Sequence, residues 1–527
     1  MSDSVYGIDL GTTYSAIARI NDLGQAEVLL NFDSNPTTPS VVYFEGDNNA
    51  VVGAEAKRVQ LSDPDNACSL IKRYMGTAYP QEFRGQEYTP ESISALILKE
   101  LVKTANSELG EEVSKVVITV PAYFGIQEKE STKQAGQIAG LEVVGIVTEP
   151  VAAALSLGIR GEQPETILVY DLGGGTFDTT IMRAEAGRVE VIAIDGNKTL
   201  GGADWDEALA QLIADKFVAQ AGLGDENPRL DAEFEIELLS QAEDTKKSLT
   251  KRENATVRCR FQDKDEQIAV TRAEFEAATK HLVAQTLEIS QRVVAAAEAK
   301  APGLKVDRVL LVGGSSKMPM IDMALREQLG WSPANTDFDL AVAKGAAIYG
   351  QAAVDEVLST DGADVPVAAD AEEKYFLGGS KTLNVTNVLS RALGVRFQRK
   401  ESDDLYISFL LHANDTIPAT PDPIRAGTVV DNQTSVAIAL YEQGGERESE
   451  NPNDNDLLQE KTLPIPSLPK GSPIDITLVV TAEGLARVTA YDPTGGQTID
   501  VEAQVSVLSE EEVAQATVQV SGISLRS

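Results

Sequence analysis

Short apolar runs, each stopped by glycine or proline, set the pattern of the first part of the chain. Ile167-Leu168-Val169-Tyr170 reads as a strand, and Thr179-Thr180-Ile181-Met182 as its return after a turn of three glycines. Ala16-Ile17-Ala18-Arg19-Ile20, Val41-Val42-Tyr43-Phe44 and Val309-Leu310-Leu311-Val312 also read as strands. Val116-Val117-Ile118-Thr119-Val120 reads as a buried strand, and Pro121 ends it. Helical spacing appears between them: Ile97, Leu98, Leu101 and Val102 share one side of 93–109, and Leu209, Leu212, Ile213 and Phe217 share another. After about residue 383 the pattern changes to short strands with polar turns, among them Ser435-Val436-Ala437-Ile438-Ala439-Leu440 and Ile474-Asp475-Ile476-Thr477-Leu478. Regular short strands predict a β-sandwich.

The chain is 527 residues long, 43% hydrophobic, and carries a formal net charge of −36 from 81 acidic against 45 basic residues. That length suits several domains. The charge argues against a nucleic-acid partner, because phosphate binding needs clustered Lys and Arg. Two cysteines, Cys68 and Cys259, make no disulfide framework, which fits a reducing cytoplasm. Met1-Ser2-Asp3-Ser4 lacks the basic and apolar regions of a signal peptide, and no apolar run approaches a membrane span of roughly 20 residues.

The chemistry gathers at the glycine turns. Asp171-Leu172-Gly173-Gly174-Gly175-Thr176-Phe177-Asp178 follows the strand 167–170. Its glycines let backbone approach a ligand, and successive N–H groups can form an anion nest. Two flanking carboxylates would repel a bare phosphate, and a hydrated Mg²⁺ between them resolves the conflict. Gly7-Ile8-Asp9-Leu10-Gly11-Thr12-Thr13-Tyr14-Ser15 repeats the design, so two similar lobes are expected to face one nucleotide. A third glycine turn, Gly313-Gly314-Ser315-Ser316, ends an apolar strand. Neither a Walker lysine loop nor a G-x-G-x-x-G is present.

These turns, with Val117-Ile118-Thr119-Val120-Pro121-Ala122-Tyr123-Phe124 and Glu149-Pro150-Val151-Ala152-Ala153-Ala154-Leu155, resemble the actin-like ATPases and, within them, the seventy-kilodalton heat-shock (DnaK-like) chaperones. The resemblance implies an α/β actin-like two-lobed ATPase domain over 1–354, an acidic flexible linker over 355–382, an all-β sandwich peptide-binding domain over 383–508, and a short tail over 509–527. The family's helical lid is expected to be absent, with Ser509-Glu510-Glu511-Glu512 opening one helical turn.

It also implies roles. Asp9 and Asp178 would hold hydrated Mg²⁺, aided by Glu149, and Lys72 and Asp171 would orient and polarise the attacking water. Gly11, Thr12, Thr13, Tyr14, Gly173, Gly174, Gly175, Thr176, Gly201 and Gly202 would surround the phosphates of ATP or ADP. Glu243, Lys246, Lys247 and Thr250 share a helix face and match the adenosine-binding helix. Gly313, Gly314, Ser315, Lys317 and Asp339 complete the base side. Lys247 and Lys317 stand where the family often has stacking arginines, and a lysine cannot stack as a flat guanidinium does. Lys129 likewise replaces the arginine partner of Pro121.

In the second domain Val436 and Ile438 would line an apolar pocket for an extended peptide, with Ile407 and Val429 arching over it. J-domain and nucleotide-exchange co-chaperones would be the protein partners. The J-domain positions fall on Gly145 and Thr148, which offer little to meet an acidic partner. The stretch 355–374 is acidic and poorly apolar, so weak coupling between ATP and peptide is expected. In the alternative, 383–389 docks instead. Two other functions fit a two-lobed nucleotide site: a small-metabolite kinase and a non-enzymatic filament or scaffold.

Overall fold

The computed structural model describes residues 4–157, 164–185, 188–334, 340–360, 384–399, 402, 404–445, 447–481, 486–502 and 507–526. Two α/β lobes face each other, each built on a sheet whose strands end at the cleft. In the first lobe Val5–Asp9 lies between the parallel strand Lys115–Val120 and its own hairpin partner Tyr14–Ile20. In the second, Glu165–Leu172 lies between the parallel strand Arg308–Val312 and its hairpin partner Phe177–Glu185. The two hairpins are the repeated motif of the sequence. The helix Ala341–Thr360 packs between the lobes against Glu149–Ser156 and Val5–Asp9. Gly7 permits this approach, since a Cβ there would sit 2.1 Å from the Ala347 nitrogen.

The β-rich unit is two four-stranded antiparallel sheets, as expected. One is ordered Leu405–Leu411, Leu393–Gln398, Gln433–Gln443, Asn455–Leu468, and the other Ile424–Gly427, Pro473–Val480, Ala486–Asp492, Gln497–Glu502. Their facing apolar residues, including Leu440, Ile476 and Val488, form one core.

Three features differ from the expectations. The helix Ala341–Thr360 runs past residue 354, into the stretch expected to be linker. Most of that linker, 361–382, lies outside the described residues. Next, Asn384–Val388 is a strand, paired in parallel with Arg188–Asn197 of the second lobe, and Thr416–Ile417 extends the same sheet. Val388 is buried there, and Leu389 is buried in the core of the β-rich unit. The docked strand falls within 383–389, the alternative docking segment, downstream of the acidic stretch.

Finally, the tail is more than one helical turn. Ser509 caps a helix over Glu510–Ser521 through a capping box with Glu512. The following strand, Ser524–Arg526, pairs in parallel with Asn49–Val52 of the first lobe. Leu508, Ala516, Val520 and Ile523 enter the first lobe's core. Each of the larger three contributes roughly 1.5–3 kcal/mol of burial. A four-residue capping signal cannot reveal a partner more than 400 residues earlier.

The β-rich unit also meets the first lobe through buried charge. Arg391 reaches Glu128 at 2.9 Å and Glu442 at 3.4 Å, with Asp456 at 3.8 Å. Glu442 accepts from the Ile126 backbone at 3.2 Å, and Ser390 donates to the Phe124 carbonyl at 3.0 Å. Lys129 is close enough to feel both Glu128 and Glu442. These contacts surround the turn that follows Pro121. Burial pushes the Glu442 carboxyl up to about 7; Arg391 opposes the shift and Glu128 adds to it.

A carboxyl raised in the docked state binds its proton more tightly there, so the contribution of Glu442 to docking is greatest at low pH. It weakens as pH rises from the ordinary carboxylate value through about 7. The effect is worth up to roughly 3 kcal/mol across that window. Amide hydrogen exchange in Asn384–Val388 should therefore be slower at pH 5.5 than at pH 7.5 after correction for intrinsic rates, and Glu442→Gln should flatten the difference.

Candidate nucleotide site

A cleft of about 680 Å³ lies between the lobes. It is lined by Asp9, Lys72, Glu149, Asp171 and Thr176 at one end, and by Glu243, Lys246, Lys247 and Thr250 at the other. Gly11, Thr12, Thr13, Tyr14, Gly173, Gly174 and Gly202 line it between these ends. Gly313, Gly314, Ser315 and Lys317 line it too. Gly175, Gly201 and Asp178 stand directly behind this wall: Gly175 and Gly201 touch each other's backbone, and Asp178 pairs with Asp171 across the central hairpin. Asp339 lies outside the described residues.

The two glycine turns press together. A Cβ on Gly174 would sit 2.2 Å from Thr13 Oγ1, and one on Gly175 2.3 Å from Thr12 Cγ2. Glycine is required in the central turn because it is packed against two threonines of the other lobe. The central turn is closed by Gly173 N–H donating to the Thr176 carbonyl at 3.0 Å. Its carbonyls also receive the start of the helix Gly202–Ala221: Gly202 donates to Gly173 at 2.9 Å and Ala203 to Gly174 at 2.8 Å. The first turn is held by Ser40, which donates to the Gly11 carbonyl at 2.8 Å, and by Ser15, which accepts from Gly11 N–H at 3.1 Å.

Charge accumulates at the closed end. Lys72 contacts Glu149 at 2.5 Å, and both are buried. Asp171 and Asp178 are also buried. Burial raises the Asp171 carboxyl, and Glu149 and Asp9 raise it further, while Lys72 opposes. Asp178 is raised by burial and then by Glu149 and Asp171. Asp178 Oδ1 accepts from Tyr123 N–H at 3.3 Å, but Oδ2 is buried with no hydrogen-bond partner. Thr119 donates to Asp9 at 3.1 Å. Glu149, Asp171 and Asp178 thus share Lys72, with Asp9 adding negative charge beside Asp171, and the cluster calls for further positive charge. Among the described residues no three His, Cys, Asp or Glu side chains converge to ligate an ion directly. This donor set suits a cation held through its own waters.

The open end is bridged by residues that sequence spacing does not reveal. Lys57, on the helix Ala54–Val59 of the first lobe, contacts Glu243 on the helix Ala232–Lys251 of the second. Lys247 contacts Glu243 at 2.6 Å and donates to the Tyr14 hydroxyl at 3.0 Å. Burial works against the charged Glu243, but Lys57 and Lys247 outweigh it and hold the carboxyl down to about 2. Lys247 therefore spends its ammonium on this bridge. Lys246 donates to the Gly202 carbonyl and pairs with Asp206, both at 2.8 Å, and Thr250 donates to its own helix at 3.0 Å. Ile236 and Leu239, on the same helix, supply an apolar wall.

Arg73 was also missed. From the first lobe its Nε donates to the Gly175 carbonyl at 2.9 Å, and its terminal nitrogen pairs with Asp204 at 3.0 Å. Asp204 in turn accepts from Gly201 N–H at 2.7 Å. One guanidinium thus ties the central turn and the following helix to the opposite lobe. A lone arginine beside Lys72 carries no spacing signature for such a role.

The four expected peptide-pocket residues are not brought together. Ile438 is in the sandwich core with Val436 packed against it. Ile407 is buried with Ala439 and Tyr441 on the other face of that sheet. Val429 is exposed. Alternation along Gln433–Gln443 sends neighbouring residues to opposite faces, so Ile407 cannot arch over Val436 and Ile438 here.

A family model described as Hsp70 protein matches residues 5–84 and 80–523. Two relatives, each named chaperone protein DnaK and from two strains of Halobacterium salinarum, are 35% identical. Each alignment covers 97% of this chain and 77% of the relative.

Arg73→Ala removes two charge-assisted contacts between the lobes, worth about 1.5–3 kcal/mol at one such bond's scale. Affinity of the cleft for ADP should fall by roughly tenfold to a hundredfold, measured by calorimetry, while Arg73→Lys should recover part of it. An unchanged affinity in Arg73→Ala would separate this contact from lobe closure.

Proposed function

Because the chain belongs to the Hsp70 protein family, we propose that its cleft hydrolyses MgATP and that hydrolysis controls peptide binding by the β-rich unit. The chain is a chaperone of the DnaK type and an ATPase, and peptide segments are its substrates as the family implies. Membership replaces the kinase and filament alternatives.

The observation that carries the mechanism is the crowding of Asp9, Glu149, Asp171 and Asp178 around Lys72 beneath two glycine turns. Asp9 and Asp178, with Glu149, would hold Mg²⁺ through water; the unpartnered Asp178 Oδ2 supports this. Mg²⁺ when bound would neutralise charge on the phosphates. Thr12, Thr13 and the backbone of Gly173–Thr176 would cradle the β and γ phosphates, on turns that already touch. Asp171 would orient the attacking water and Lys72 would polarise it. Thr176 would help position the γ-phosphate. Glu243 and Lys246 would face the ribose, and the base would lie along Ile236 and Leu239, near Lys317. Phosphoryl transfer asks mainly for positioning and charge neutralisation.

The strand Asn384–Val388, seated beside Arg188–Asn197, supports coupling between the units through this shifted segment. A J-domain partner meeting Gly145 and Thr148 would find few groups to grip, so stimulation by one would be small. Among the described residues no helix is long and apolar enough to cross a membrane. Cys68 and Cys259 are buried free thiols, which supports a cytoplasmic setting.

Lys72→Ala and Asp178→Asn should each bind nucleotide within a few fold of the wild type yet turn over at least roughly 100-fold more slowly. Single-turnover ATP hydrolysis checks this, and wild-type turnover in either variant would remove that residue from the mechanism. A fluorescent peptide titrated in the presence of ATP and then of ADP should show different dissociation rates; identical rates would end the coupling reading.

A further inference from the structure

The β-rich unit is attached to the lobes at both of its ends. Upstream, twenty-four residue steps separate Thr360 from Asn384, a length of chain that could span about 80 Å. Downstream, six steps separate Glu502 from Leu508, and these can span at most about 20 Å. The second connection therefore sets how far the unit can travel, provided that the segment beyond it stays seated on the first lobe.

That seat is extensive. Gln134 donates to the Leu508 carbonyl at 2.9 Å at the very start of the segment. The helix Glu510–Ser521 packs on Ile126–Ile138 and Pro90–Leu109. At its closing turn, Lys99 of the first lobe donates to the Val520 carbonyl at 2.7 Å. Beyond it, Ser524–Arg526 covers the edge of Asn49–Val52, and Lys103 donates to the Leu525 carbonyl at 2.9 Å. Gln519 donates to the Glu87 carbonyl at 3.1 Å, and Arg526 pairs with Glu45 at 3.0 Å. Backbone pairing, apolar burial and side-chain hydrogen bonds thus fix the segment along its length.

We infer that Leu508–Arg526 is an intramolecular strap, which keeps the β-rich unit within about 20 Å of the ATPase lobes even when its other contacts release. The strap's consequence for peptide exchange rests on the chaperone reading above. The restraint itself does not. A unit held so close re-docks at high effective concentration. Nucleotide would then act by small displacements at the Arg391–Glu442 contact and not by full separation.

The test uses the full chain with Leu23→Cys and Leu405→Cys as dye positions; both leucines are exposed, whereas Cys68 and Cys259 are buried. Val385→Asp with Arg391→Glu, together with Asn414→Gly, weakens the other docking contacts without touching the cleft. The distance between the dyes is compared with and without a Gly/Ser insert of about twenty residues between Gln504 and Val505, worth about 25 Å of extra reach. Val520→Asp, which unseats the strap, serves as a second route. The strap predicts a short distance in the released protein and a clearly longer one once the insert or Val520→Asp is added. Equal distances with and without the insert, whether short or long, overturn it. Readings are taken with ADP and without nucleotide, so failure of the nucleotide reading leaves the comparison intact.

Discussion

The structure depends on holding like charges together. Asp9, Glu149, Asp171 and Asp178 stand near Lys72 at one end of the cleft, where burial of Glu149, Asp171 and Asp178 strengthens the repulsion. No single lobe could keep them there. Asp9 comes from the first lobe's hairpin and Asp171 and Asp178 from the second's, while Glu149 opens a helix beneath them. Closing the lobes therefore concentrates negative charge, and the Lys72–Glu149 pair relieves only part of it. A cation and a polyphosphate entering together would relieve the rest. The site is thus completed by its ligand, and lobe closure is made to depend on what is bound.

The contacts that oppose this repulsion are spread around the rim. Arg73 ties the central turn to the first lobe from one side, and Lys57, Tyr14 and Lys247 meet Glu243 from the other. The glycine turns touch between them, too tightly for any side chain. Apart from Lys247–Glu243, which lies within one helix, each contact crosses between the lobes and so is formed only when the cleft is shut. The same economy appears at the second interface. Arg391, Glu128 and Glu442 meet beside the turn after Pro121, and Tyr123 in that turn donates to Asp178. A short run of chain, 121–128, therefore touches both the phosphate end of the cleft and the β-rich unit. This is a direct physical route by which charge in the one can bias contacts of the other.

Much of this was legible in the residue order. The repeated Asp-Leu-Gly turns announced two matching hairpins, and both form with their glycines at the cleft. The face carrying Glu243, Lys246, Lys247 and Thr250 was read from helical spacing and does line the cleft. The change of pattern after 383 correctly marked a sandwich. Such features are local: a turn, a helix face or an alternating strand is set by residues within a few positions of one another.

What the order of residues left open was partnership across distance. Leu383-Asn384-Val385-Thr386-Asn387-Val388-Leu389-Ser390 showed an apolar stretch, but only the lobe's edge at Arg188–Asn197 made Asn384–Val388 a strand of that seven-stranded sheet. Ser509 and Glu512 announced a helix start, but the gap between Pro90–Leu109 and Ile126–Ile138 and the edge of Asn49–Val52 decided that it becomes a strap. Ile407 was apolar on any reading, yet sheet alternation placed it away from Val436 and Ile438. The physical reason is common to all three. Hydrophobic pattern and turn chemistry determine what each segment can be. Which edge it pairs with, and which face it presents, depends on surfaces that exist only after distant parts of the chain have folded.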